Sequence, residues 1–548
     1  MHIAKYLWFL LLTIGCCADI IPASRLSTWS DVGIEGGIPS YSTVFCNVRT
    51  SIPGTNIVAT GDGVANDSPA IQAAINLCPA GQVVYVPDGT YKITTGLSMG
   101  VGRQCVIRGD GPGQTIFDGA ITFAASTASL TASLGIVSGW TAGSTNIIVD
   151  PVGLSTSQVK PGWLVELRTS GDTNVNYIGY EGAWNSEPAG QVIELQTVDA
   201  GRTNWTFKPP LAIDGGVRQY ARLQYSSGTV PNFVTNCGLE NFTLRHDNVG
   251  SYALTWNGTS RCWVSNIVVT NSKVAAFIIY RSYRGQITQS TFQNSTMFGS
   301  GGGYGILFQN KTTKFLVDNN IVSKHAGSIL VDDGAMGNVI AYNYVPDFQY
   351  YQTNWLVPSL QTHSSHPMFN LYEGNICPNL FFDQIHGSGA YQVGFRNFCD
   401  GYGNSGIDHQ QFAVAVDGWH RYHSFVGNVL GFNAMLSYMQ TNGSIAFTNP
   451  VVYSVGYVAS TNYDQTTLDT LYLHGNYDCY NKATSWVDTN ADHTLPSSLY
   501  LASAPTWWST RPWPPIGSDL TPMVSRIPAY DRWHAGGPAA TKTRILIR

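Results

Sequence analysis

Asp332, Asp333, His363, His386 and Asp417 are the residues of this chain whose types and spacing could do chemistry. Four positions stand eleven residues before an asparagine that is followed by an apolar residue: Gln309 before Asn320, Asp332 before Asn343, His386 before Asn397 and Asp417 before Asn428. The same count back from Asn375 lands on Ser364, with His363 one place away and His366 two further on. The flanking residues agree, since Phe308-Gln309-Asn310, Val331-Asp332-Asp333, Ile385-His386-Gly387 and Val416-Asp417-Gly418 each run from apolar to polar to turn-forming. A structural ladder would repeat one residue type, whereas this set mixes acids with imidazoles. Stacked carboxylates shift each other's pKa and so can supply a proton donor beside a proton acceptor. Asp332 and Asp333 are the expected acid and base or nucleophile, with His363 and His386 orienting or tuning them. His366, Arg396 and Asp417 are expected to contact a ligand, and Tyr350, Tyr351 and Trp355, in the loop after Asp333, to offer it an aromatic platform.

A shared phase has meaning only if repeated elements hold it. The repeated unit is Asn241-Phe242, Asn266-Ile267, Asn320-Ile321, Asn343-Tyr344, Asn375-Ile376, Asn397-Phe398 and Asn428-Val429, with Ser290-Thr291 filling one gap. The steps are 25, 24, 30, 23, 32, 22 and 31 residues. They are too long for heptads or hairpins and too ragged for helical pairs, but they suit coils of a parallel β-solenoid with corner loops of varying size. Asparagine suits such a corner because it tolerates the left-handed region and can bond its stacked neighbour. Successive candidates in the column should then be ~5 Å apart and next-but-one candidates ~10 Å apart.

Composition agrees with a turn-rich all-β protein: of 548 residues 57 are Gly, 12% are aromatic and only 11% are charged. A net charge of -5 with no long basic run argues against a nucleic-acid partner. Lys5 precedes an apolar run from Tyr6 to Ile14, too short to span a bilayer, and Ala18 precedes Asp19. Residues 1–18 therefore read as an export signal, and the mature protein as secreted and free of membrane. A lipid-anchored form through Cys16 fits less well, because Thr13 stands where an aliphatic residue is usual. Cys237 and Cys262 each lie four residues before a repeated asparagine, and Cys377 and Cys399 two residues after one. Each pair should stack on adjacent coils, as a disulfide or as buried thiols.

In chain order, a lead-in over 19–59 precedes the turn Thr60-Gly61-Asp62-Gly63, a helix over 70–76 capped by Asp67 or Ser68, and the strand–turn–strand Val83-Val84-Tyr85-Val86-Pro87-Asp88-Gly89-Thr90-Tyr91. Asp62 and Asp67 read as turn and cap residues rather than metal ligands. This run resembles the N-terminal signature of the pectate-lyase superfamily of right-handed parallel β-helix proteins. The resemblance implies a β-helix over 60–121 and 217–480 with an N-terminal capping helix. Residues 122–216 lack the asparagine pattern and read as a β-rich insertion, whose loop Tyr177 to Asn185 could stack on sugars or pack on the solenoid. The aromatic and proline-rich residues 481–548 read as a cover segment.

The same resemblance implies a polysaccharide substrate. Asp332-Asp333, His386-Gly387 and Arg396 resemble part of the pattern of the polygalacturonase type, without its first acid or its Arg-x-Lys. Glycoside hydrolysis by paired carboxylates is the expected reaction. The alternatives are β-elimination on a uronic-acid glycan, with a histidine as base, Arg396 meeting the carboxylate and Ca²⁺ as aid, and a glycan-binding or adhesive solenoid without catalysis. Hydrolysis implies no cofactor or metal. Glu373 and Asp383 stand in reserve as further acids.

Overall fold

The structure, a computed structural model, describes residues 20–124, 132–152, 159–170, 187–216, 218–223, 233–247, 250–299, 301–350, 358–402, 411–441, 450–459 and 462–536. The expected export signal, the loop from Tyr177 to Asn185, and Tyr351 and Trp355 lie outside the described residues.

The chain winds into a right-handed parallel β-helix with three faces. The first face runs from Val44–Asn47 through Val83–Val86, Val106–Gly109 and later coils to Tyr472–His474. The second runs from Asp62–Asn66 through Gly89–Lys92 to Asn476–Asp478. The third is an eleven-stranded sheet from Leu97–Met99 to Ser437–Gln440. Inward apolar side chains stack in register from coil to coil: Val84, Ile107, Leu239, Val264, Ile287 and Val317 form one such column on the first face. Each coil thus buries its apolar side only against its neighbours, which is why the fold tolerates steps of different length.

The asparagines form a buried ladder between the first and second faces. Nδ2 of Asn320 donates to Oδ1 of Asn343 at 3.1 Å, and the pattern repeats from Asn343 to Asn375, Asn375 to Asn397, Asn397 to Asn428 and Asn428 to Asn476. Ser290 fills the gap, its N–H donating to Oδ1 of Asn320 and its Oγ accepting from Ile267 N–H. Left-handed backbone falls on the asparagine only at Asn241 and Asn266; in the buried ladder it falls one residue earlier, at Asn319, Tyr342, Gly374, Arg396, Gly427 and Gly475. The buried asparagines therefore serve by bonding. A second ladder, Asn338, Asn370, Gln392 and His423, closes the corner between the third and first faces.

At the N-terminal end, the helix Ser68–Leu77 covers the first coils. Asp67 binds the Thr60 and Gly61 N–H groups, and Asp62 those of Val64 and Ala65, so both acids tie turns. The insertion is a closed antiparallel barrel of six strands, from Ala132–Ser138 to Arg218–Leu223, with Trp140, Trp205 and Phe207 inside it. Thr122, assigned to the insertion from sequence, instead pairs with Thr255 in the third face. Residues from Leu495 to Tyr530 lie along the outside of the first and second faces, burying Trp508 and Ile516 against Tyr342, Leu371 and Phe395. The lead-in straps the same cylinder lengthwise only as far as Tyr41, with Arg25 bonded to Thr470 O, Trp29 to Phe369 O and Tyr41 to Asn236 O, whereas Val44–Asn47, assigned to it from sequence, is already the first strand of the first face. Among the described residues no helix is long and apolar enough to cross a membrane.

The stacked cysteines are neighbours. Cys377 and Cys399 pair in register with sulfurs 3.7 Å apart, while Cys237 and Cys262 adjoin the paired Gly238 and Trp263. All eight cysteines from Cys46 to Cys479 are buried free thiols. Thiol titration of the mature protein should find none of the eight reactive while folded and all eight on unfolding. A count of six or fewer would mean that one of the stacked pairs is oxidised.

Candidate active site

The end of the third face carries a column of polar side chains. Strand register pairs Phe308 with Val331, Val331 with Thr362, Thr362 with Phe382 and Phe382 with Val416. The next residues, Gln309, Asp332, His363, Asp383 and Asp417, therefore stack on successive coils. In this column Asp383 takes the place that the eleven-residue count gave to His386. The reason is a longer corner. Asp332 and Asp417 do stand eleven residues before their asparagines, but His363 stands twelve before Asn375 and Asp383 fourteen before Asn397. The extra residues lie in the turn after Asp383, and they carry His386 out over the column, where its ring meets that of His363 edge to face at 4.9 Å.

Gln309, Asp332, His363, Asp383 and His386 line one side of a groove of about 420 Å³ on the outer side of the third face. Ile278, Leu307, Gln361 and Phe381 form its floor, and Tyr252, Tyr304 and Tyr350 with Gly299, Gly301 and Gly302 border it. Asp332 is 3% exposed. Burial is the chief cause that raises its pKa to about 8, with the charges of Asp383 and Asp333 adding and His363 opposing. His363 donates its backbone N–H to Asp332 Oδ1 at 3.1 Å, and its Nδ1 lies 2.7 Å from Asp383 Oδ2. Burial alone would lower the His363 pKa, but the Asp383 charge and hydrogen bond raise it to about 9. Burial would likewise raise Asp383, yet His363, Gln361 and the Ile385 N–H hold it below the usual carboxylate range. At neutral pH the column thus presents a protonated carboxyl, an imidazolium and an ionised carboxylate in a row. Partial burial, and then the neighbouring His363 charge, shift the His386 pKa down, with Asp383 opposing.

Asp333 is not part of this arrangement. Its backbone is left-handed, and its carboxylate turns to the fully buried Lys311 at 3.2 Å, where the barrel packs on the helix through Arg281 and Glu166. Arg396 is also elsewhere. It precedes ladder residue Asn397, so it sits at the opposite corner, and its guanidinium grips Asp519 at 2.8 and 2.9 Å together with the Leu495, Pro496 and Ile516 carbonyls. It fastens the C-terminal cover and cannot meet a ligand in the groove. His366 is buried and bonded to Ser365 Oγ at 2.7 Å, behind the column. Asp417 continues the column one coil beyond the groove, its pKa pushed well up by burial and by Asp383. Glu373 is covered by the C-terminal segment, accepting from Tyr342 Oη at 3.0 Å and Leu499 N–H at 2.9 Å. Among the described residues no group of three or more His, Cys, Asp or Glu is arranged to hold a metal ion.

Asp383 was findable from the strands, because Phe381-Phe382-Asp383 repeats the pattern of Leu330-Val331-Asp332 and Ala415-Val416-Asp417.

Residues 55–170 match the family described as "Rhamnogalacturonase A/epimerase, pectate lyase-like". No curated protein is matched by the sequence. Among solved structures, the tailspike protein gp49 from Pseudomonas phage LKA1 is 15% identical with a TM-score of 0.41, over 77% of this chain and 78% of that one. The gp54 tailspike of Acinetobacter baumannii bacteriophage AP22, solved with A. baumannii capsular saccharide, is 11% identical with a TM-score of 0.31, over 79% and 77%. The polygalacturonase from Erwinia carotovora ssp. carotovora is 9% identical with a TM-score of 0.35, over 83% and 98%. At these identities and scores neither a substrate nor a reaction carries over from the three. The chain is a right-handed parallel β-helix, continuous in its coils to Asp478, and residues 55–170 at its N-terminal end are similar to that family.

Proposed function

We propose that this protein is a secreted glycan hydrolase in which Asp332 is the general acid and Asp383 the general base, acting on a polysaccharide lying along the groove. One observation carries the reading: two carboxyl groups, whose surroundings shift their pKa in opposite directions, face the same groove from coils on either side of His363. Environments that drive paired titratable groups apart mark an acid and a base. Glycoside hydrolysis needs both, one protonating the leaving oxygen and one activating water across the sugar. His363 positions the pair, since its ring holds Asp383 ionised and its backbone N–H fixes the Asp332 carboxyl. The Cα atoms of Asp332 and Asp383 are two strand spacings apart, ~10 Å. The tyrosines bordering the groove would stack on sugar faces. The family match over residues 55–170 supports a glycan as the substrate class.

Digestion of a glycan panel tests this when read both by reducing ends and by the absorbance of unsaturated products. Reducing ends without the unsaturated chromophore support hydrolysis. The chromophore would instead mean elimination, and retention without either product a binding protein.

The pKa pattern also fixes the pH profile. Asp332 must keep its proton to act, so kcat should hold through neutral pH and fall as pH rises through about 8. The acid limb should lie below the ordinary carboxylate range, because Asp383 is shifted down. A kcat that climbs through pH 8 removes Asp332 as the proton donor.

A further inference from the structure

We infer that the groove takes an uncharged glycan, one whose sugars carry no carboxylate; this rests on the groove being the glycan site. Among the described side chains that line it there is no Lys or Arg. Ser300 and residues 351–357, which follow or precede lining residues in the sequence, contain neither. The cations nearest along the chain point to other work. Lys311 is fully buried against Asp333, and Arg281 is bound to Glu166 at the barrel junction. Lys273 and Lys324 are exposed on turns and do not line the groove. The imidazolium of His363 is already matched by Asp383 at 2.7 Å.

A uronate seated here would set its charge beside the buried Asp383 carboxylate with no cation to receive it. Charged groups are retained in such places only when paired. What the groove does offer suits neutral sugars. The partly exposed Tyr252 and Tyr304, with the edges of Leu307 and Phe381 between them, present apolar surface for the C–H faces of the rings, and the side-chain amide of Gln309 can bond hydroxyls. Such a surface grips sugars through faces and hydroxyls, and it discriminates against acidic chains by leaving their charge unpaired.

Affinity electrophoresis of the Asp332→Asn protein, chosen because its turnover is expected to be ~10²- to 10⁴-fold slower, tests the inference. Starch, galactan and mannan serve as neutral probes, polygalacturonate and alginate as carboxylated ones, each with calcium and with a chelator. The expected result is retardation by at least one neutral polymer, with the carboxylated polymers weaker by on the order of 100-fold. The retardation should disappear in the double variant that adds Tyr304→Ala. Retardation by a carboxylated polymer under either condition, by none of the polymers, or independently of Tyr304 overturns the inference. Reducing-end release by the wild-type protein separates the two readings. Hydrolysis of a carboxylated polymer would leave the hydrolase standing without the neutral substrate. Retention of a neutral polymer without product would leave the neutral site standing without the hydrolase.

Discussion

Asp332→Asn is expected to lower kcat by ~10²- to 10⁴-fold, the usual loss on removing a positioned general acid, with KM and melting temperature close to wild type. The amide has the carboxyl's shape, and its oxygen still accepts the His363 N–H that Asp332 Oδ1 accepts at 3.1 Å. Because burial holds Asp332 protonated up to about pH 8, the exchange leaves the charge of the groove unchanged at neutral pH. What disappears is the proton that the leaving oxygen must receive. The neighbouring Asp333→Asn provides the control, since its carboxylate faces Lys311 and does not line the groove. It should keep kcat and lose stability, by roughly 3 kcal/mol, because it leaves the buried Lys311 ammonium without its partner. Steady-state kinetics and thermal melting of the two proteins decide the matter. Equal losses of kcat would mean that the corner acts as one structural unit and that Asp332 is not the donor.

That two adjacent aspartates point to different places, one to the groove and one to Lys311, was not legible from the residues themselves. Sequence gives the run Val331-Asp332-Asp333, but the left-handed turn at Asp333 decides which carboxylate reaches the groove. The coil repeat was legible, because apolar side chains stacked in each coil and a bonding asparagine at the same corner of most coils after Leu239 leave a recurring mark in the sequence. Corner lengths leave no such mark, since polar turn residues look alike whether a turn is short or long. Counting back from the first ladder alone therefore slipped by one residue at His363 and by three at Asp383. The second ladder would have corrected the count. Asn338, Asn370, Gln392 and His423 stand five residues before Asn343, Asn375, Asn397 and Asn428, so the added residues must lie between Asp383 and Gln392. Arg396 was readable in the same way. A residue directly before a ladder asparagine belongs to the corner of Tyr342 and Gly374, on the far side of the coil from Asp332. The partners of that corner, Asp519 and the carbonyls around Pro496, come from a segment with no repeat, and no spacing could have announced them.

The ladder itself sets the largest expected stability effect. Asn375 lies at its middle with no exposed surface. Its Nδ2 donates to Ile340 O at 2.8 Å and to Asn397 Oδ1 at 2.9 Å, and its Oδ1 accepts from Asn343 N–H at 2.9 Å and Asn343 Nδ2 at 3.1 Å. Asn375→Ala removes all four bonds and leaves donors on Asn343 and the Ile340 carbonyl inside the cylinder, out of reach of water. An orphaned buried polar group costs more than a hydrogen bond returns, so the loss should be roughly 3–4 kcal/mol. Asn266→Gly is the contrasting case. Asn266 is exposed, it holds φ +51°, which glycine adopts freely, and its one ladder bond, to Asn241 Oδ1, faces solvent. That change should stay within ~0.5 kcal/mol. Because each coil contacts only its neighbours, the Asn375 loss should appear first as faster amide exchange in Asn343–Val345 and Ile376–Cys377, with the capping helix unaffected. An Asn375→Ala protein that melts with the wild type, or that exchanges faster everywhere at once, would show that the stacked apolar columns hold the coils without help from the ladder.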